Sequence, residues 1–175
     1  MKTRQLATDA MLAAMCAVLG YLSVDLGNLK ITFESLPVLV AAFLLGPADG
    51  LIVGGIGTLI YQILRYGLTA TTALWMLPYM LCGLLVGLYA KKKRFRLSKK
   101  EVAWAVGIAE LMILLLNTAV MAADSIIYGY YSKAYIFGSF WIRLLICAAK
   151  SVAFALILPG ILQTIRKFLF RGNQP

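Results

Sequence analysis

Histidine is absent from the 175 residues, and only seven are Asp or Glu. The first absence removes the usual metal ligand and the usual general base together. The few carboxylates are scattered, without the spacing of a metal site, and no G-x-S-x-G nucleophile elbow occurs. The stretch "AAKS" at 148–151 shares the end of a phosphate-binding loop but lacks the glycines that let a backbone wrap phosphate. Cysteine is scarce too. Cys16, Cys82 and Cys147 each lie inside an apolar block and form no CxxC pair, so they are packing residues rather than a disulfide framework. These absences describe a chain that is not an enzyme and calls for no metal or cofactor.

Charge as a whole is sparse, at 14% of residues against about a quarter in a soluble domain. Hydrophobic residues make up 62% and come in long blocks, which is the composition of an integral membrane protein. The N-terminus, "MKTRQLATDAMLAAMCAVLG", has the basic start and apolar run of a signal peptide. Asp9 interrupts the run, and no small-residue cleavage site precedes the next span, so a retained first helix is expected. A membrane helix needs about 20 apolar residues. Six candidate spans follow, at 6–24, 33–46, 47–65, 72–90, 101–124 and 139–169. The second is short and joined to the third by "GPADG", a tight hairpin. The expectation is a single domain over 1–175: an all-α integral membrane bundle of six transmembrane helices.

The charges that exist are mostly of one sign. Of 17 Lys and Arg residues, 12 fall at Lys2 and Arg4, in "KKKRFRLSKK" at 91–100, and at Arg166, Lys167 and Arg171. An even number of crossings puts all three places on one side. The positive-inside rule makes that side cytoplasmic, with both termini there. The basic excess is therefore a topology signal and a surface for membrane lipid, with no nucleic-acid partner. Tyr128, Tyr130, Tyr131 and Tyr135, in the last outer loop, are interfacial anchors.

Polar residues inside the spans are the candidates for function. Gly46, Gly50 and Gly54 recur every fourth residue, as do Gly83 and Gly87, and small residues at that spacing let helix backbones approach closely. In span one Ala10 and Ala14 make a similar small face. In span five Glu110, Asn117 and Asp124 are seven apart and share a helix face; Arg143 and Lys150 do so in span six. At 1.5 Å per residue Lys150 lies about 17 Å below the outer start of its helix and Glu110 about 14 Å above the inner start of its own. In a core about 30 Å thick those depths nearly coincide, so Lys150 is expected to face Glu110, with Arg143 and Asn117 higher up. Two readings of that pair stand: an ion pair that fixes helix register, or the floor of an outward-opening pocket.

Six spans, a short second helix and "ITFESLPVLVAAFLLGPADGLIVGGIGTLIYQIL" at 31–64, with "AMLAAM" in span one, resemble the substrate-binding S-components of energy-coupling factor (ECF) vitamin transporters. The branch most resembled handles folate, pantothenate and related vitamins. The resemblance implies a subunit of a bacterial cell membrane importer that captures a water-soluble vitamin from outside and has no ATPase of its own. It implies as partners a membrane-embedded coupling protein, met through Ala10 and Ala14, and two cytoplasmic ATPases. It also implies a pocket near the outer face built by the first outer loop and spans four to six. The candidate binding residues are Lys150, Arg143, Asn117, Glu110, Trp75, Tyr79, Arg65 and Glu34. Arg65, Arg143 and Lys150 suit a carboxylate-bearing vitamin, and Trp75 and Tyr79 can stack on a ring. "RYGLTATTALWM" lacks the prolines of the folate carriers' loop, which leaves the vitamin open. The competing reading is a small six-span membrane scaffold with no small-molecule ligand.

Overall fold

The computed structural model describes residues 3–26 and 29–170. Helix α1 (Thr3–Tyr21) leads into a two-stranded antiparallel hairpin, β1 (Val24–Leu26) and β2 (Leu29–Ile31). Then come α2 (Ser35–Leu44), α3 (Pro47–Tyr66), α4 (Thr72–Lys92), α5 (Lys99–Ile127), the short α6 (Lys133–Phe137) and α7 (Phe140–Phe170). Among the described residues four helices, α3, α4, α5 and α7, are long and apolar enough to cross a membrane. Helix α1 is less apolar because Thr3, Arg4, Gln5, Thr8 and Asp9 fill its first two turns.

The ten residues of α2 reach only about 15 Å, half the hydrocarbon core. It survives there because protein surrounds it. Val38, Leu39, Ala41 and Ala42 are 0% exposed, and α1, α3, α4 and α7 all pack on it. A helix apolar all round is a buried one. After its C-cap Leu45 the chain turns at Gly46, whose φ of 121° is open to glycine at little cost, and Pro47 starts α3 at a position where its missing N–H is not needed.

The glycine repeats lie where α3 crosses α4. A Cβ at Gly83 would stand 2.2 Å from the Gly50 carbonyl oxygen, and one at Gly54 would stand 2.6 Å from that of Tyr79. The two backbones therefore touch directly, as small residues four apart permit.

The basic segment is a tight, pinned turn. Arg94 and Phe95 are left-handed, with φ of 52° and 57°; the Phe95 ring lies against Gly46, and the Arg166 guanidinium donates to the Phe95 carbonyl at 2.6 Å. Its cations point outward. A capping box between Ser98 and Glu101 then starts α5.

Trp104, at this end of α5, and Trp141, at the opposite end of the bundle on α7, are 75% and 73% exposed, as two interfacial belts require. Two features are absent from the sequence reading: the hairpin at 24–31 and the α6 turn, both inside segments taken as loops.

The orientation is checked by single cysteines at the exposed positions Lys133 and Arg96, the three native thiols being buried. In intact cells an impermeant maleimide is expected to label Lys133→Cys and to spare Arg96→Cys. The opposite pattern inverts the topology.

Candidate functional site

At the end of the bundle away from the basic turn, a cavity of about 700 Å³ opens between the hairpin exit, α3, α4, α5, the 128–130 loop, α6 and α7. That volume lies within the range of about 300–1,000 Å³ typical of small-molecule sites. Six tyrosines and Trp75 are in its wall, so it offers broad apolar faces edged with hydroxyls.

Glu34, which ends the hairpin segment and precedes α2, is 3% exposed at the base of the cavity. Thr32 donates to its carboxylate at 3.2 Å. Tyr79, 5% exposed, stands beside Glu34, Thr32 and Asn117. Asn117 itself brings something the protein leaves open: its Oδ1 is buried and has no hydrogen-bond partner among the described residues.

The two carboxylates and two guanidiniums of the wall are differently occupied. Arg65 lies over the Tyr21 ring at 5.9 Å. Arg143 points a nitrogen at the Met121 sulfur, 3.8 Å away, and makes no salt bridge among the described residues. Half-buried, with only a weak acceptor, its guanidinium is a cation lacking a counter-ion. Asp124 is the reverse. Its Oδ1 accepts from the Thr71 hydroxyl at 2.5 Å and the Trp75 indole at 3.3 Å, and its Oδ2 accepts from Tyr130. Partial burial, and then the hydrogen bond to Asp124 and its charge, hold the Tyr130 phenol above its ordinary range, so it stays a donor.

Below the cavity sits a second polar cluster. Lys150 Nζ lies 3.0 Å from a Glu110 oxygen, with side chains 13% and 2% exposed. Ser35, the first residue of α2, donates to the other Glu110 oxygen at 2.5 Å. Lys150 donates to Ser35 at 3.5 Å and stands 5.7 Å from the centre of the Phe154 ring. Each carboxylate oxygen thus has a partner, and three helices meet at one ion pair.

The family model for the substrate-specific component of ECF transporters matches residues 4–170. The chain belongs to that family. No curated protein sequence matches it. Among solved structures it is similar to the S-component for biotin from an ECF-type ABC transporter, solved at 2.1 Å. The TM-score is 0.72 at 18% identity, over 95% of this chain and 92% of that one; at that identity the likeness is one of fold. As the substrate-specific component of an ECF transporter the chain is a transport subunit, and not an enzyme.

Of the residues singled out in the sequence, Trp75, Tyr79, Arg65, Glu34, Asn117 and Arg143 come together in the S-component's cavity wall. Lys150 and Glu110 do not: they are one heptad further in, paired beneath it. The seven-residue stripe is thus divided, its outer members on the cavity and its inner members on each other. Ala10 and Ala14 are remote from both, exposed on the outer face of α1, while Ala13 and Ala17 are buried. Asp124, on the same stripe as Glu110 and Asn117 but not among the candidate binding residues, and Tyr130, read as an interfacial anchor, also line the cavity.

Proposed function

We propose that this S-component captures a carboxylate-bearing, water-soluble vitamin, of the pantothenate, folate or biotin type, in the cavity between the hairpin and α3 to α7. The observation that carries the reading is Arg143, a half-buried cation whose guanidinium has, among the described residues, no salt bridge and only the Met121 thioether as a hydrogen-bond acceptor. A ligand carboxylate would give it a bidentate, charge-assisted partner. Asn117 Oδ1, buried and unsatisfied, adds the need for a ligand N–H or O–H donor, since an unmet buried acceptor costs about 1–3 kcal/mol. All three vitamin types carry both groups. The solved biotin S-component of the same fold supports a vitamin of this size.

The ligand enters from outside the bacterial cell membrane, where the multi-pass chain has its cavity, and the basic turn faces the cytoplasm and its anionic lipid. Energy comes from a membrane-embedded coupling protein and two cytoplasmic ATPases. The docking face is the outer side of α1, where Ala10 and Ala14 leave the backbone open to close helix approach.

Isothermal titration of the detergent-solubilised protein with biotin, pantothenate and folate tests the ligand class. One of them is expected to bind, and Arg143→Met is expected to weaken it roughly 10- to 150-fold, the effect of a lost charged hydrogen-bond partner. The carboxamide analogue of that vitamin should bind the wild type equally poorly. Unchanged affinity in Arg143→Met, or equal binding of acid and amide, contradicts the assignment.

For the docking face, Ala14→Trp is expected to leave vitamin affinity intact and to abolish ATP-driven uptake in reconstituted vesicles. Normal uptake by the variant removes α1 from the coupling interface.

A further inference from the structure

The outer wall of the cavity consists of three segments that do not share a helix. The α3–α4 connection brings Thr71, α4 brings Trp75, and the 128–132 loop brings Tyr130. All three end on one carboxylate. Asp124 is 9% exposed, and its two oxygens take the Thr71, Trp75 and Tyr130 donors. An ionised carboxylate has about four acceptor positions, so three donors leave it little capacity for a ligand.

The three donors are not equally held. Thr71 is 1% exposed and lies in a turn tied by hydrogen bonds between Thr69 and Thr72. Trp75 is in the first turn of α4, where its backbone N–H bonds to the Thr71 carbonyl. Tyr130 differs. It is 45% exposed, and it follows Gly129, which has a φ of 76° and faces open space. Beyond Asp124, it contacts the Tyr135 ring edge-on at 5.6 Å. One side of the wall is fixed; the other is an exposed loop whose backbone is tied to α5 by the Tyr130 N–H on the Ser125 carbonyl at 3.0 Å, and whose Tyr130 side chain is fastened to the wall by its hydroxyl.

We propose that Asp124 is the positioning residue of the outer wall, and that the Tyr130–Asp124 hydrogen bond is the latch that opens when substrate passes. This rests on the cavity being the substrate site. Asp124 acts through Trp75 and Tyr130, holding an aromatic pair at the cavity edge. Opening requires that the Tyr130 side chain swing outward while its backbone N–H stays on the Ser125 carbonyl, and Thr71 and Trp75 keep the carboxylate in place. Removal of Asp124 frees both sides; removal of the Tyr130 hydroxyl frees one.

The test needs no ligand at first. Trp104 and Trp141 are exposed on the outside of the bundle, so Trp104→Phe with Trp141→Phe leaves Trp75 as the sole tryptophan, excited selectively over the tyrosines. In that background Asp124→Ala is expected to increase iodide quenching of Trp75 and to speed amide exchange across 128–132 at least about tenfold, the effect of losing a charged hydrogen bond. Tyr130→Phe is expected to speed exchange in 128–132 to the same degree while Trp75 quenching stays near wild type. Asp124→Asn, which keeps an acceptor for Thr71 and Trp75, should hold Trp75 shielded and loosen only the loop. Unchanged quenching and exchange in Asp124→Ala overturn the positioning role, and equal exchange in Tyr130→Phe and wild type overturns the latch.

Stopped-flow binding of biotin, pantothenate and folate then connects latch to function. Tyr130→Phe should raise the dissociation rate about tenfold or more, and an unchanged rate overturns the substrate gate. If none of the three binds the wild type while the fluorescence and exchange effects hold, the wall architecture stands and the ligand class falls.

Discussion

Lys150 and Glu110 impose the condition on which the rest of the bundle depends. A lone charge at the centre of a membrane costs about 2.5–3.5 kcal/mol on the mildest scale, so each must meet the other wherever the helices go. Ser35 joins them at 2.5 Å from Glu110, and this sets the register of α2, α5 and α7 at a single height. One heptad outward on the same two faces are Asn117 and Arg143. Their arrival on one cavity wall follows from the pair beneath, since neither α5 nor α7 can slide without separating the charges. The pair thus acts on the site through register, from outside its lining.

The second condition is the shortness of α2. Ten residues cannot span the core, and a helix end inside a membrane needs protein around its backbone groups. Burial of α2 among α1, α3, α4 and α7 meets this need and has a consequence at the outer end: the space above Ser35 that a longer helix would fill is left for Glu34, Thr32 and the cavity. At the inner end Gly46, Phe95 and Arg166 close the bundle against the cytoplasmic side. The direct backbone contact of Gly50 with Gly83 brings α3 and α4 close, and Tyr61 and Gln62 of α3 share the cavity lining with Trp75 and Tyr79 of α4.

Much of this was legible in the sequence because long apolar blocks and heptad spacing are strong signals in a membrane chain. The last span, expected at 139–169, is a helix over Phe140–Phe170, and the expected meeting of Lys150 with Glu110 follows from depth arithmetic alone. What could not be read has physical reasons. Strands of three residues are too short to show an alternating pattern, so the hairpin at 24–31 passed for loop. Asp124 sits where a helix leaves the membrane, a place where carboxylates are commonly solvated, and nothing local reveals that Thr71, more than fifty residues away, binds it. Tyr61 and Gln62 lie on a helix whose glycines drew attention to packing. The division of the polar stripe into a cavity half and an ion-pair half depends on where α2 stops in space, which no spacing rule encodes.

The central claim is that the outer heptad binds substrate while the inner heptad sets register. Native mass spectrometry of protein purified in mild detergent from cells grown on rich medium tests it directly. The account predicts a small acid bound to wild type and retained by the Glu110→Leu, Lys150→Met double variant, where an ion pair is exchanged for apolar packing at little cost, and absent from Arg143→Met. Ligand kept by Arg143→Met but lost from a folded double variant would contradict it and move the binding site to the buried pair.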